Sequence, residues 1–220
     1  MKVGFLGPKA TFTELAVKKV FPGFELEPYR TIPESMDAVV SEKVELAVVP
    51  VENTLEGTVN ITLDYLTHVV QLPIVGEITI PIKQHLMVHP DNQEIWQDVS
   101  KVYSHSHAIA QCHKFLHTQF HGIPYESVSS TAAAAKMVMD HPEQRIAAIA
   151  NELAAEEYGL SIVQRDIHDF DHNHTRFFVL SEKGINFEEY SGSSHYKTTL
   201  MVTLPTDKAG TLHMVLSAFA

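Results

Sequence analysis

Short apolar runs alternate with amphipathic, helix-spaced segments along most of the chain. "VGFL" (3–6), "FELEPY" (24–29), "VELAVV" (44–49), "PIVGEIT" (73–79) and "QHLMVH" (84–89) have the length and the β-branched or aromatic content of strands. "KVYS" (101–104), "YESV" (125–128), "RIAAIA" (145–150), "LSIVQR" (160–165) and "RFFVLS" (176–181) continue the series. Between them, apolar residues at helical spacing predict helices over 13–20, 34–42, 58–69, 108–119, 131–140 and 151–158. Two helix starts carry a capping box, Thr11 with Glu14 and Thr31 with Glu34, the second with Pro33 in its first turn. This alternation predicts an α/β fold with parallel or mixed sheets and helices on both faces.

So many strands before residue 182 exceed one small open sheet, so two α/β lobes with a cleft between them are expected. The texture changes after "GEITIPIKQHL", which puts the first crossing near residue 80 and the return near 161–166. The expected units are 1–79 with 161–183 as the first lobe and 80–160 as the second. Residues 184–196, rich in Gly, Ser and acidic side chains, read as a linker. A strand is expected over "KTTLMVTL" (197–204), then the turn "PTDKAG" and a helix start, "TLHMVLSAFA". This end, 197–220, is too small to bury a core of its own and reads as the front of an incomplete third module.

Composition narrows the function. The net charge of −11 argues against nucleic acid, because binding phosphates needs clustered Lys and Arg. No apolar run reaches the ~18 residues of a membrane span, and "MKVGFLGPKA" lacks the apolar core of a signal peptide. The single cysteine, Cys112, allows no internal disulfide and fits a reducing, cytoplasmic compartment. Its apolar helical context reads as a small buried hydrophobe, not a nucleophile. His113, His117 and His121 recur at helical spacing, but no HExxH and no cysteine pair accompanies them; a solvated helix face is the reading, and no metal is expected.

The turns after the strands share one chemistry. Thr11 and Thr13 follow the first, Asn53, Thr54 and Thr58 the third, and Ser104, His105 and Ser106 the run at 101–104. Ser129, Ser130 and Thr131 follow 125–128, and "NHT" opens the last strand. One such turn is ordinary capping. Several of them, gathered at the carboxyl ends of strands where open α/β sheets bind ligands, predict a neutral, donor-rich pocket suited to a carboxylate-bearing metabolite. Neither GxxxxGK[ST] nor GxGxxG occurs.

Four motifs in order, "GFLGPKATFTELA" (4–16), "VVPVENTLEGTVN" (48–60), "VYSHSHAIAQC" (102–112) and "NHTRFFVL" (173–180), resemble the prephenate dehydratase family. "SSTAAAA" (129–135) and "AAIANELAAEEYGL" (147–160) fit the same pattern, so the resemblance spans 1–182. It implies two similar α/β lobes of the type II periplasmic-binding-protein kind with the active site between them. It also implies that "DKAGTLHMVLSAF" (207–219) begins an α+β ACT regulatory domain, incomplete here. The implied reaction turns prephenate into phenylpyruvate, with loss of carbon dioxide and water, in phenylalanine biosynthesis. Aromatisation drives that reaction, so no redox or electron-sink cofactor is expected. Homo-oligomers, and phenylalanine as effector of the full-length enzyme, are implied partners; with the ACT domain incomplete, this chain is expected to respond poorly or not at all to phenylalanine.

Carried over by the motifs, Thr175, Asn53, Ser104 and Gln111 are the implied catalytic positions. Thr175 would donate a hydrogen bond to the departing hydroxyl. Helix starts at Thr11, Thr54, Ser130 and Thr131 offer N–H groups to the substrate's carboxylates. Arg176 can pair with a carboxylate. Strand alternation turns it away, however, if Thr175 faces the cleft, and then places Phe177 as a wall on the face of Thr175. Gly210, Thr211 and Leu212 resemble the start of an effector site. Glu52 and Glu56 are expected to stay out of an anion pocket. Two stretches depart from the family pattern: Ser106-His107 where Pro-Gln is usual, and Ala10 where glycine is usual. Arogenate as substrate, and a non-catalytic carboxylate-sensing module of the same lobes, stay open as alternatives; without the motifs, a turn cap also explains Thr175.

Overall fold

The computed structural model describes residues 1–192, 195–202, 204, 206 and 208–219. The chain opens with β1 (Lys2–Leu6), α1 (Phe12–Val20), β2 (Glu25–Tyr29), α2 (Ile32–Val40) and β3 (Leu46–Asn53). β1 pairs in parallel with both β2 and β3. Both threonine caps form, the Glu14 N–H donating to Thr11 Oγ1 and the Glu34 N–H to Thr31 Oγ1, while each glutamate carboxylate reaches one residue further back, to the N–H of Ala10 and of Arg30. A short β4 (Gly57–Thr58) folds back on β3, and α3 (Asn60–His68) leads to β5 (Ile74–Pro81).

The second lobe begins with β6 (His85–Val88) and a 3-10 segment, Pro90–Asp98. There follow β7 (Lys101–Ser104), α4 (Ser106–Gln111), α5 (His113–Gln119), β8 (Tyr125–Ser127) and α6 (Thr131–Asp140). β9 (Ile146–Ala150), α7 (Glu152–Tyr158) and β10 (Ser161–Gln164) complete it, and β11 (His174–Leu180) returns to the first lobe.

The two sheets repeat one plan. Their orders are β2-β1-β3-β11-β5 and β8-β7-β9-β6-β10, with β4 beside β3. In each, three parallel strands are followed by one that runs the opposite way and a fifth that pairs antiparallel with it. The fourth strand of each sheet is delivered by the chain as it crosses: β6 directly follows β5, and β11 directly follows β10. The carboxyl ends of the parallel strands and both crossings therefore meet at one gap between the lobes.

Alternation along the central strands serves two cores per lobe. Val48, Phe177 and Val179 pack beneath α1, whereas Ala47, Val49, Phe178 and Leu180 pack beneath α2 and α3. The second lobe does the same with α6 and α7 on one face and α4 and α5 on the other. Full burial of each large apolar side chain contributes about 1.5–3 kcal/mol, so these four layers fix the strand register.

Four expectations need correction. Residues 161–164 were expected to open the return to the first lobe, but β10 pairs with β6 in the second sheet. The crossings are 82–84 and 165–173; a four-residue run carries no signal of which sheet it joins. The helix expected over 108–119 breaks at Cys112 (φ −115°, ψ 21°). The expected linker holds a helix, α8 (Glu188–Ser191), and Phe187 and Tyr190 pack on Phe21 with ring centroids 6.1 and 5.4 Å away. A Cβ on Gly76 would lie 2.5 Å from the Phe187 ring, so this segment is seated on the first lobe. Finally, residues 197–202 and 204 form no strand, because no neighbouring strand among the described residues offers them a ladder. Ser193 and Ser194 of the expected linker, Thr203, Pro205 and Asp207 of the expected strand and turn, and Ala220 lie outside the described residues.

Candidate active site

Thr175, the second residue of β11, lies between Asn53 of β3 and Ile80 of β5 in the sheet. Asn53 ends its strand in an Asx turn, its Oδ1 accepting the N–H groups of Leu55 and Glu56 at 3.0 Å each. Backbone N–H groups only donate, so the amide orientation is fixed and Nδ2 faces β11. It donates to Thr175 Oγ1 and to Asn173 Oδ1, both at 2.9 Å. The Thr175 oxygen is thus engaged as an acceptor. Among the described residues no protein acceptor takes its proton, which is left for the cleft.

The cleft has a volume of about 1160 Å³ and is lined by both lobes. Thr11, Arg30, Asn53, Glu56 and Thr175 line it from the first; His105, Gln111, Ser130 and Thr131 line it from the second. Thr11 Oγ1 accepts from Glu14 N–H and Ser130 Oγ from Ala133 N–H, so these side chains are occupied as caps. What α1 and α6 offer a ligand is their free first-turn N–H groups.

Glu56, expected outside the pocket, joins the lobes across it. Its Oε1 accepts from Gln111 Nε2 and its Oε2 faces His107 Nδ1, both at 3.3 Å. Shared between two partners, the carboxylate is held away from a bare anionic role. Because Gln111 Nε2 must face the carboxylate, its Oε1 is an acceptor of fixed direction; like Gln84 Oε1, it is buried and has no partner among the described residues. His105 caps α4, and burial, followed by the neighbouring His107, holds its imidazole below the ordinary range.

The two departures from the family pattern are accommodated. Ser106 opens α4 at the first helical position, the position at which proline is tolerated, so either residue starts the same helix. Ala10 adopts φ 65°, a left-handed conformation that costs an L-residue about 1–2 kcal/mol. Its methyl is fully buried in the second lobe's core, which offsets about 0.8 kcal/mol. The Ala10 carbonyl accepts from the buried Asn151 Nδ2 at 3.0 Å, tying the β1–α1 loop to the start of α7.

Four of the candidate catalytic and substrate-binding residues do not line the cleft. Ser104 is fully buried and donates to the Ile149 carbonyl at 2.6 Å, tying β7 to β9. Thr54 clamps His174, donating to its carbonyl and accepting its N–H at 3.1 and 3.2 Å. Arg176 points to the other face, where Glu52 and Glu77 lie 2.8 and 3.6 Å away. Phe177 does share the face of Thr175, but it is sealed in the core under α1. Away from the lobes, Gly210 (φ 93°) precedes α9 (Thr211–Leu216), Thr211 Oγ1 donates to the Lys208 carbonyl, and Leu212 is exposed.

Arg30, Glu56, Gln84 and Asn173 were not singled out as site residues. Applying the rule for strand carboxyl ends to 24–29 as well would have found Arg30. The other three depend on lobe-to-lobe or strand-to-strand neighbours that sequence spacing does not encode. His113 and His117 are exposed on α5 and His121 in the turn just beyond it; among the described residues no group of three or more His, Cys, Asp or Glu could hold a metal. Burial pushes the Cys112 thiol up, which removes it as a nucleophile at neutral pH.

Fold and cleft define a two-lobed α/β protein with a polar-lined cleft between its lobes and an oriented hydroxyl donor at one wall. The profile of the family Prephenate dehydratase matches residues 3–185. The prephenate dehydratase of Bacillus subtilis (strain 168) is 59% identical over 224 residues, covering 100% of this chain and 79% of the relative. The solved prephenate dehydratase of Arthrobacter aurescens, in complex with L-Phe, is 30% identical with TM-score 0.81, over 100% of this chain and 71% of that one. A solved structure named GqqA, a novel type of quorum quenching acylases, is 25% identical with TM-score 0.76, over 100% and 77%. The chain belongs to the prephenate dehydratase family.

Proposed function

We infer that the protein converts prephenate to phenylpyruvate, carbon dioxide and water, the reaction of a carbon–oxygen lyase in phenylalanine biosynthesis. The bond from the ring to its carboxylate breaks, and its electron pair enters the ring. The C4–O bond then breaks, and the leaving hydroxide takes up one proton. The chain's part is to hold the dicarboxylate and to stabilise that oxygen as charge develops on it. The observation that carries the reading is the Thr175 hydroxyl, oriented by Asn53 so that its proton is free for the cleft. A threonine is too weak an acid to surrender its proton alone, so it acts as a donor in the transition state and relays a proton from water.

The first-turn N–H groups of α1 and α6 receive carboxylate oxygens, and Gln111 Oε1 accepts from the substrate hydroxyl. The relatives bearing the prephenate name favour the keto acid over arogenate, and the donor at the leaving oxygen favours turnover over sensing alone. An acyl-transfer reading, raised by the likeness to the acylase, lacks a nucleophile in Cys112, which is buried outside the cleft lining. Phenylalanine is the proposed effector, through the segment of Gly210, Thr211 and Leu212; the L-Phe complex of the Arthrobacter relative supports it. A cytoplasmic homo-oligomer fits a biosynthetic role, and no helix among the described residues is long and apolar enough to cross a membrane.

The test is direct: purified protein with prephenate, following phenylpyruvate by absorbance, with arogenate in a parallel reaction. Phenylpyruvate from prephenate, exceeding phenylalanine from arogenate, is expected. Absence of both products would overturn the reading.

A further inference from the structure

We propose that Arg30 binds the side-chain carboxylate of the substrate, the one retained in the product, and so sets the affinity of the cleft for pyruvyl acids. The proposal rests on the prephenate reading and adds a binding residue to it.

Arg30 directly follows β2 and so stands, like Asn53 and His105, at the carboxyl end of a parallel strand opening on the cleft. Its backbone is anchored on both sides. The Arg30 N–H donates to Glu34 Oε2 at 3.0 Å, and the carbonyl just before it, on Tyr29, accepts the Gly7 N–H at 2.8 Å. A Cβ on Gly7 would come 2.8 Å from Pro28 Cβ, so the β1–α1 loop and the end of β2 touch with no room to spare. A long cationic side chain thus starts from a fixed base beside the start of α1.

Its charge is uncommitted. Arg165 and Arg176 are ion-paired with glutamates, at 2.8 Å in each case. Arg30 has no ion pair among the described residues, and it is the one Lys or Arg lining the cleft. In a chain of net charge −11, that cleft must still admit a dianion. A guanidinium recognises a carboxylate through two parallel hydrogen bonds, where an ammonium offers only a point charge.

The chemistry selects which carboxylate. Decarboxylation drains negative charge from the ring carboxylate, so a guanidinium paired there would stabilise the ground state more than the transition state and slow the reaction. Pairing with the retained carboxylate is equal in both states. It lowers KM and leaves kcat alone.

The experiment compares the unmodified protein with Arg30→Gln and Arg30→Lys. It measures kcat and KM for prephenate, and Kd for phenylpyruvate by calorimetry; phenylpyruvate keeps only the side-chain carboxylate. Arg30→Gln is expected to raise KM and the phenylpyruvate Kd by the same factor, about tenfold or more, with kcat within about twofold and Arg30→Lys in between. Arg30 is exposed, and equal thermal melts check that the variants fold. Unchanged KM and Kd overturn the proposal. So does a raised KM with unchanged phenylpyruvate binding, which would place Arg30 on the ring carboxylate. If the unmodified protein forms no phenylpyruvate, the functional reading fails, while the calorimetry still decides for or against Arg30 as the binder of pyruvyl acids.

Discussion

Asn53 Nδ2 donates to Thr175 Oγ1 at 2.9 Å, and this bond decides which way the threonine proton points. Asn53→Asp keeps the shape and still accepts the Leu55 and Glu56 N–H groups through one oxygen. The other oxygen then faces Thr175 as an acceptor and draws the hydroxyl proton away from the cleft. We expect kcat to fall about 100-fold, comparable to losing an oxyanion donor, with far-UV circular dichroism unchanged. A kcat within threefold of the unmodified protein would show that the bond does not orient the proton.

Glu56 tests whether an acidic residue in this cleft repels or organises. Glu56→Ala removes a negative charge but also releases Gln111 and His107 from the opposite lobe. The expected result is a several-fold higher KM for prephenate, with a stability change below about 1 kcal/mol because the His107–Glu56 pair is largely exposed. A lower KM would mean that repulsion dominates.

Ser104 separates packing from catalysis. Its hydroxyl donates to the Ile149 carbonyl in a fully buried setting away from the cleft. Ser104→Ala is expected to cost about 1 kcal/mol in urea unfolding and to leave kcat within about threefold. A large kcat loss with unchanged stability would return Ser104 to the catalytic set.

Burial lowers the pKa of His85 below its ordinary 6.5, and its Nδ1 accepts the Asp166 N–H at 3.0 Å, which requires the unprotonated nitrogen. The unfolded chain therefore binds this proton more readily than the folded one. The resulting stability is complete above about pH 6.5 and is lost as pH falls below it. His85→Asn supplies an acceptor that does not titrate, so its melting temperature should fall less between pH 7 and 5 than that of the unmodified protein. Parallel curves would exclude His85 from the acid response.

The limits of sequence reading follow from what each signal encodes. The run 131–140 has helical spacing and a serine just before it, and α6 occupies those same residues. Strand alternation correctly turned Arg176 away from the cleft and put Phe177 on the face of Thr175. It could not tell that α1 covers Phe177, since that depends on how far the helix reaches along the sheet. The pairing of β10 with β6 joins residues far apart in the chain, and no local run encodes it. The strand expected at 197–204 had the right residue types but no partner among the described residues. Ser104 carried a family motif, yet its hydroxyl is spent on a neighbouring strand; hydroxyl residues at a strand end look alike in sequence whether they cap, brace or bind.

In the proposed reaction the Thr175 hydroxyl stabilises the departing oxygen. The most direct test is single-turnover formation of phenylpyruvate from prephenate by the unmodified protein, Thr175→Ala and Thr175→Ser. Thr175→Ala should lose about 100-fold or more in rate while still folded, and Thr175→Ser, which keeps the donor, should recover most of it. A Thr175→Ala protein that forms phenylpyruvate at the unmodified rate would contradict the claim.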